Sequence, residues 1–481
     1  MPAEISIKKA LVITATAKYA NIILGMVFIA ILARLLTPED FGTIAIAMVF
    51  IAFFNIIPNS GLGPVIVQDK SLTDEEINHI YSFSIYVGVI LIIAFFLLGF
   101  PMAWFYQNSE YIFICLILSL SLFFNVLNIV PNALLRKEGR FLLLGIRLIV
   151  VSTATYGITI VLALMQFNHY ALVIQSVLSA FFIFLWNAKT VKLRPKIKID
   201  FATLRKIQKY SGYDFGFSFI NYFARNLDKL IVGRVWGAVP LAQYDRAYRF
   251  MLFPVQNLTL VIGSVLHPAL SRRQNDLEHI YHKYLHIVKP LSLLGVFVTV
   301  FCFWSSWEII ILIFGNQWYE AVDFFKWLSL SIWAQMVTSS AGAIYKSIGN
   351  TKLMFISGLV HVSVSILVII LGVLSGNLIV FSICVSVGFI VKFFIEFFFL
   401  IKIGFGKSIV SFLRRFVPDI IIFLLLFVGL FFFSRLLDSA DFSLIFLLAM
   451  KLGFTLVLYS VCLLFTGQWV HVKKIIYGGN L

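Results

Sequence analysis

Charge is scarce in this 481-residue chain: 12% of residues are Asp, Glu, Lys or Arg, and 61% are hydrophobic. A soluble protein is about a quarter charged and about half apolar. The deficit excludes a disordered chain, a fibrous chain and an ordinary soluble enzyme. Cysteine is scarce as well. Cys115, Cys302, Cys384 and Cys462 all lie inside apolar runs, and none forms a CxxC pair. They read as small buried hydrophobes, with no disulfide framework or zinc site implied. No GxxxxGK[ST], GxSxG or HExxH motif occurs. This argues against ATP hydrolysis by the chain itself and against hydrolase chemistry, and no cofactor or metal is expected. The His279, His282 and His286 spacing is helical, but without HExxH it reads as a solvated or interfacial helix rather than a metal site.

What the chain does have is apolar sequence in runs of membrane-spanning length. A span needs about 20 mostly apolar residues. Stretches of that kind lie near 10–34, 42–67, 79–100, 111–134, 141–165, 169–188, 211–236, 247–270, 290–315, 321–346, 352–375, 377–401, 416–436 and 442–466. The runs are unbroken, as in "DIIIFLLLFVGLFFF" (419–433), so helices are expected and not the alternating pattern of a membrane barrel. The expected fold is an all-α polytopic membrane protein with about fourteen transmembrane helices. The first run is longer than a signal-peptide core and reads as an uncleaved span.

The net charge of +16 would suit nucleic acid only on a soluble basic face, and no such partner is expected. Lys and Arg sit mostly in short loops, where they report orientation. With the N-terminus in the cytoplasm, the inside loops hold Arg136, Lys137 and Arg140; seven basic residues within 191–210; Arg272, Arg273, Lys283 and Lys289; Lys402, Lys407, Arg414 and Arg415; and Lys473 and Lys474. The outside loops near 101–110, 166–168, 316–320 and 375–376 hold none. The loop "DKSLTDEE" is an acidic exception, and acidic residues weigh little in this rule. Both termini are therefore expected inside. The longest soluble pieces, 189–210 and 271–289, are both basic; they serve either as topology signals or as contacts with anionic lipid headgroups.

The chain repeats itself with an offset of 200 residues: Asn21 matches Asn221, Arg34 matches Arg234, and Ala47 matches Ala247. An even number of spans per half makes the halves parallel, a transporter architecture with a central cavity. The expected parts are a six-helix lobe (1–190), a basic cytoplasmic linker (191–210), a second six-helix lobe (211–403), and two further helices with a tail (404–481). Prolines interrupt several spans, notably Pro58, Pro64, Pro131, Pro254 and Pro268, and bent helices suit either moving lobes or local packing.

Charges inside spans are costly and mark function or pairing. Asn221, Arg225, Asp228 and Lys229 share one helical face of the seventh span. Arg234 lies near its outer end, and Asp245, Arg246 and Arg249 open the eighth. Lys18, Glu308, and the pair Lys392 and Glu396 lie in other spans. Two readings stand for the first group. Asp228 balances Arg225 or Lys229, or the surplus cations line a cavity for an anionic group, which the arginine fork suits. Arg234, Arg246 and Arg249 can alternatively snorkel at the outer interface. Lys392 and Glu396 read as an i,i+4 structural pair.

Three segments resemble the bacterial polysaccharide flippases of the multidrug/oligosaccharidyl-lipid/polysaccharide exporter superfamily. They are "RLLTPEDFGTIAIAMVF" (34–50) running into "GLGPVIVQDKSLTDEE" (61–76), "PNALLRKEGRF" (131–141), and, most specific, "NLDKLIVGRVWGAVPLAQYDRAYRFMLFPVQNLTLVIGSVLHPALSR" (226–272). The resemblance is strongest over about 1–350, and the last two spans match only in hydropathy. It implies two six-helix lobes plus two helices in the bacterial cytoplasmic (inner) membrane. It also implies a cargo, an oligosaccharide repeat unit on undecaprenyl diphosphate, moved between leaflets for lipopolysaccharide or exopolysaccharide biosynthesis. Arg225, Lys229 and Lys18 carry over as cavity cations; Arg234, Arg246 and Arg249 are further candidates on their charge and position alone. Asp228 carries over as a balancing partner, while Asn221, Lys392 and Glu396 read as structural or charge-balancing residues from the sequence itself. Membrane lipids, a coupling ion (H+ or Na+) and polymerase and chain-length proteins are the other partners such a protein would have. The alternatives are a cation-coupled multidrug and toxin extrusion pump, a peptidoglycan-precursor flippase, and, from a different class, a polysaccharide polymerase or ligase. The short outside loops disfavour the last.

Overall fold

The computed structural model describes residues 7–59, 63, 66–67, 72–195, 222–223, 225–258, 276–437 and 442–470. Asn221, Gly61, Pro64, Pro268, Arg272, Arg273, Lys473, Lys474 and the whole 196–210 tract lie outside them. Among the described residues the chain is helical and contains no strand. Eleven described helices are long and apolar enough to cross a membrane.

Contacts divide the chain into two compact units, Met1–Ala242 and Gln243–Leu481. The first contains α1 (Ile7–Leu35), α2 (Pro38–Asn59), α3 (Asp74–Tyr106), α4 (Glu110–Leu127), α5 (Ile129–Lys137), α6 (Phe141–Leu164), α7 (His169–Thr190) and α8 (225–235). Helix α9 (Ala238–Leu258) begins in this unit. Helices α3 and α4 form a close hairpin: a methyl at Gly99 would stand 3.0 Å from the Ile112 backbone, and one at Gly88 would stand 2.8 Å from the Phe123 ring. Small residues at such crossings let membrane helices approach closely. Thr73 opens α3 with a reciprocal capping box, its hydroxyl accepting from Glu76 N and Glu76 answering to Thr73 N.

The second unit contains α10 (Leu277–Trp304), α11 (Ser306–Phe314), α12 (Tyr319–Ser329), α13 (Ile332–Thr338), α14 (Ala341–Ser347), α15 (Thr351–Leu374), α16 (Leu378–Phe397), α17 (Ile409–Leu413), α18 (Val417–Leu437) and α19 (Leu444–Phe465). Its core is aromatic. Phe393, Phe397, Phe412 and Phe416 interlock with ring centroids 4.7–5.9 Å apart.

One expectation is extended and another corrected. The helix expected around His279, His282 and His286 is present and runs on without a break into the ninth span. Helix α10 starts at Leu277, because Asp276 accepts from His279 N at 2.9 Å and Tyr281, Tyr284, Leu285 and Val288 bury an apolar face among the polar residues. The tenth span (321–346) is not one helix but the chain of pieces α12, α13 and α14. Serines stand at the breaks. Ser329 and Ser331 donate to the carbonyls of Lys326 and Leu328, and Ser339 donates to that of Met336, all at 2.6–2.7 Å. Hydroxyls thus add partners to carbonyls at the breaks, where the helical ladder is interrupted in an apolar setting.

Leu36 N donates to Leu32 O at 2.9 Å, and Trp236 N donates to Val232 O at 2.9 Å; Phe41 N donates to Thr37 O, and Leu241 N to Gly237 O. These are the i→i−4 bonds found at most helix ends, and they close the α1–α2 and α8–α9 turns alike. The first turn is closed by Asp40, whose Oδ2 accepts from Thr37 N (2.9 Å) and Oγ1 (2.8 Å). The second uses Gly237 with φ +90°, a conformation that favours glycine.

Candidate functional site

The charged stretch that begins in α8 is only partly buried. Arg225 is exposed, while Asp228 and Lys229 are buried side by side. Tyr106 anchors the helix by donating from its hydroxyl to Leu230 O at 3.3 Å. Arg234 is exposed and lies 5.3 Å from the Phe105 ring centroid, a cation–π arrangement at the end of α3. Lys18 is half-buried in α1.

The second unit holds the rest of the set. Arg246 is buried against Trp318, 5.8 Å from its ring centroid. Arg249 is half-exposed and pairs through Nε with Asp245 Oδ2 at 2.6 Å, an i,i+4 contact within α9. Gln243, just before them, fixes α9 against the start of α12: it donates to Gln317 O at 2.9 Å and accepts from Ala321 N at 3.1 Å. Lys229, Asp228, Asp245 and Arg246 are four buried charged groups within 19 residues of sequence, and each is costly in an apolar setting unless it is paired.

Lys392 and Glu396 both turn to α15. Lys392 donates to Ser365 Oγ at 2.5 Å, whereas the Glu396 carboxylate accepts from Ser357 Oγ at 2.8 Å and lies 3.3 Å from His361 Nε2. The i,i+4 spacing gave no sign of these neighbours.

Sequence reading missed several polar clusters. In the first unit, Asp40 Oδ1 accepts from His169 N at 2.9 Å and lies 3.6 Å from His169 Nδ1, while His169 Nε2 lies 3.5 Å from Glu110. This ties the starts of α2, α4 and α7 together. Arg147, buried in α6, donates to Asn187 Oδ1 at 2.7 Å, and Asn187 donates to Asn128 Oδ1 at 2.7 Å. In the second unit Lys289 pairs with Asp419, and Lys451 pairs with Glu308 at 2.6 Å. Asp419 also accepts from Ser292 Oγ, which in turn accepts from Trp333 Nε1 at 2.8 Å. The signal for the second pair was half visible, since Glu308 stood out as an intramembrane charge. Among the described residues no group of three or more His, Cys, Asp or Glu could hold a metal ion.

A family model described as polysaccharide biosynthesis protein matches residues 31–323, from the end of α1 into α12. The chain belongs to this family. Among curated relatives, the lipopolysaccharide biosynthesis protein WzxC of Escherichia coli is 25% identical over 406 residues, 80% of this chain and 79% of that protein. The teichuronic acid biosynthesis protein TuaB of Bacillus subtilis is 22% identical over 335 residues, 69% of each chain. The succinoglycan biosynthesis transport protein ExoT of Rhizobium meliloti is 21% identical over 74% of this chain and 72% of its own. The fold is that of the lipid II flippase MurJ in an inward closed conformation (TM-score 0.74, 15% identity, 95% of this chain and 100% of that one). An inward-facing multidrug resistance MATE transporter matches less of it (TM-score 0.63, 15% identity, 79% and 94%). With its eleven long apolar helices, the family member is a multi-pass protein of the bacterial inner membrane.

Proposed function

We propose that this chain flips undecaprenyl-diphosphate-linked oligosaccharide repeat units across the cytoplasmic membrane by alternating access, for lipopolysaccharide or exopolysaccharide biosynthesis. One observation carries the reading. The match to a polysaccharide biosynthesis family coincides with a fold shared over the full length of a lipid II flippase. The reading assigns fourteen spans with both termini inside, and six-helix lobes at 1–190 and 211–403. The diphosphate-sugar head occupies a cationic cavity while the lipid tail stays in the bilayer. Arg225, Lys229 and Lys18 hold the diphosphate, Arg234, Arg246 and Arg249 extend the positive field, and Asp228 balances it. Guanidinium and ammonium groups in a low-dielectric setting suit such oxygens. The chain acts as a transporter and not as an enzyme. A coupling ion, H+ or Na+, supplies direction, and polymerase and chain-length proteins receive the product.

A cation-coupled drug exporter is disfavoured by the net basic character of the 225–249 stretch. Deleting the gene tests the proposal. Lipid-linked repeat units are expected to accumulate in the cytoplasmic leaflet and surface polysaccharide to disappear. Persistence of the polymer with no trapped units rejects it.

A further inference from the structure

The second unit contains a cavity of about 310 Å³ lined by His282, His286, Lys289, Arg414, Arg415 and Gln468. Its apolar floor is Phe412 and Phe416, both buried. Three elements build it: the first turns of α10, the 412–418 elbow between α17 and α18, and the segment just after α19. Nothing in the flippase reading uses these residues.

The charges divide into two sets. Lys289 is engaged by Asp419 and by the Arg415 carbonyl (2.9 Å), so it supports the wall. Glu278 accepts from Lys407 at 2.5 Å and lies 3.0 Å from His282. Arg414 and Arg415 are exposed, and among the described residues no carboxylate lies within ion-pair distance of either guanidinium. The cavity therefore offers two unmatched arginines beside two histidines, with both nearby carboxylates already held. Such a site takes an anion with several oxygens, and phosphate fits it.

The surroundings identify what carries the phosphate. The residues flanking the cavity along α18 and α19 are exposed and apolar: Val417 (48%), Ile420 (53%), Leu464 (61%) and Phe465 (87%). A free phosphate has no use for such a surface, whereas an acyl or prenyl chain running down the two helices covers it. We propose that this cavity binds the phosphate headgroup of a membrane lipid whose tails lie against α18 and α19. Two lipids share that chemistry, an acidic phospholipid and a prenyl diphosphate. The proposal needs a lipid whose phosphate headgroup carries net negative charge and stands apart from the flippase reading.

The test uses the full-length chain, extracted from vesicles of phosphatidylcholine mixed with phosphatidylglycerol, with retained lipid read by native mass spectrometry. A parallel arm substitutes farnesyl diphosphate for phosphatidylglycerol. The unaltered chain is expected to retain the anionic lipid over phosphatidylcholine. Retention should weaken about tenfold or more in R414Q/R415Q and largely persist in R414K/R415K. The arm that binds names the source, and binding in either arm with this dependence supports the proposal. On the unaltered chain, raising salt from about 50 mM to about 500 mM should weaken retention, a readout independent of whether the variants fold. Equal retention of phosphatidylcholine, loss of salt dependence, or unchanged binding in R414Q/R415Q overturns it.

Discussion

Among single residues, the buried ion pairs separate what spacing can and cannot reveal. Glu308 was visible as a costly charge inside an apolar run, but Lys451, its partner, lies 143 positions away, and no local rule joins them. Helical spacing linked Lys392 to Glu396, yet each charge is held by side chains of α15. The i,i+4 contact is worth only a few tenths of a kcal/mol, so a neighbouring helix that offers hydroxyls and an imidazole outweighs it. Where the local partner is the nearest option, as for Arg249 and Asp245, spacing and structure coincide. Removing one member of a buried pair leaves an uncompensated charge. Lys451→Met is expected to destabilise by about 3–5 kcal/mol, and the added Glu308→Leu to recover most of that loss. Thermal melting of the three proteins in one detergent checks this; a double variant as unstable as the single would contradict it. Asp40→Ala removes an acceptor of three N–H and O–H groups. It is expected to cost about 1–3 kcal/mol, read as a lower melting temperature with helix content retained.

At the scale of elements, hydropathy located most helices because a span must be long, apolar and internally hydrogen-bonded. It failed where those conditions are met by other means. Serine hydroxyls let the tenth span break into three pieces, and an average over twenty residues is blind to that. It also failed at α10, where a half-buried apolar face among histidines and lysines prolongs the helix beyond the apolar run. The 200-residue offset rests on three matched residues of the sequence, and the two turns it joins, α1–α2 and α8–α9, each close with ordinary i→i−4 bonds. Those turns are tightly packed: a methyl at Gly42 would stand 1.9 Å from the Ala238 carbonyl oxygen. Backbone cannot yield as a flexible side chain can, so Gly42→Ala is expected to exceed the usual overpacking cost of about 1–3 kcal/mol. The measurement is membrane-fraction abundance and monodispersity on size exclusion. Wild-type values for both would show that the α2–α9 approach is looser than described.

The molecule as a whole joins a fold legible from the sequence to a site legible only in outline. The cationic stretch from Arg225 to Arg249 was identifiable because charges are rare in apolar sequence. Which of its members are buried was not, since burial depends on helices distant in the chain. The last two spans matched relatives only in hydropathy, yet α18 and α19 carry Asp419 and Lys451, which hold Lys289 and Glu308 of the second unit. Truncation after residue 404 would strand both of those charges. It is therefore expected to abolish folding of the second unit, seen as aggregation on size exclusion, and not merely to reduce activity. A monodisperse truncated protein would contradict this.

The central claim is movement of a lipid-linked diphosphate sugar, and reconstituted vesicles test it most directly. The purified chain should transfer a fluorescent prenyl-diphosphate oligosaccharide between leaflets, measured by its exposure to an external membrane-impermeant quencher. Transfer should slow about tenfold or more in R225Q/K229Q, because each cation lost removes on the order of 1–2 kcal/mol of phosphate contact. Transfer no faster than in protein-free vesicles would contradict the account.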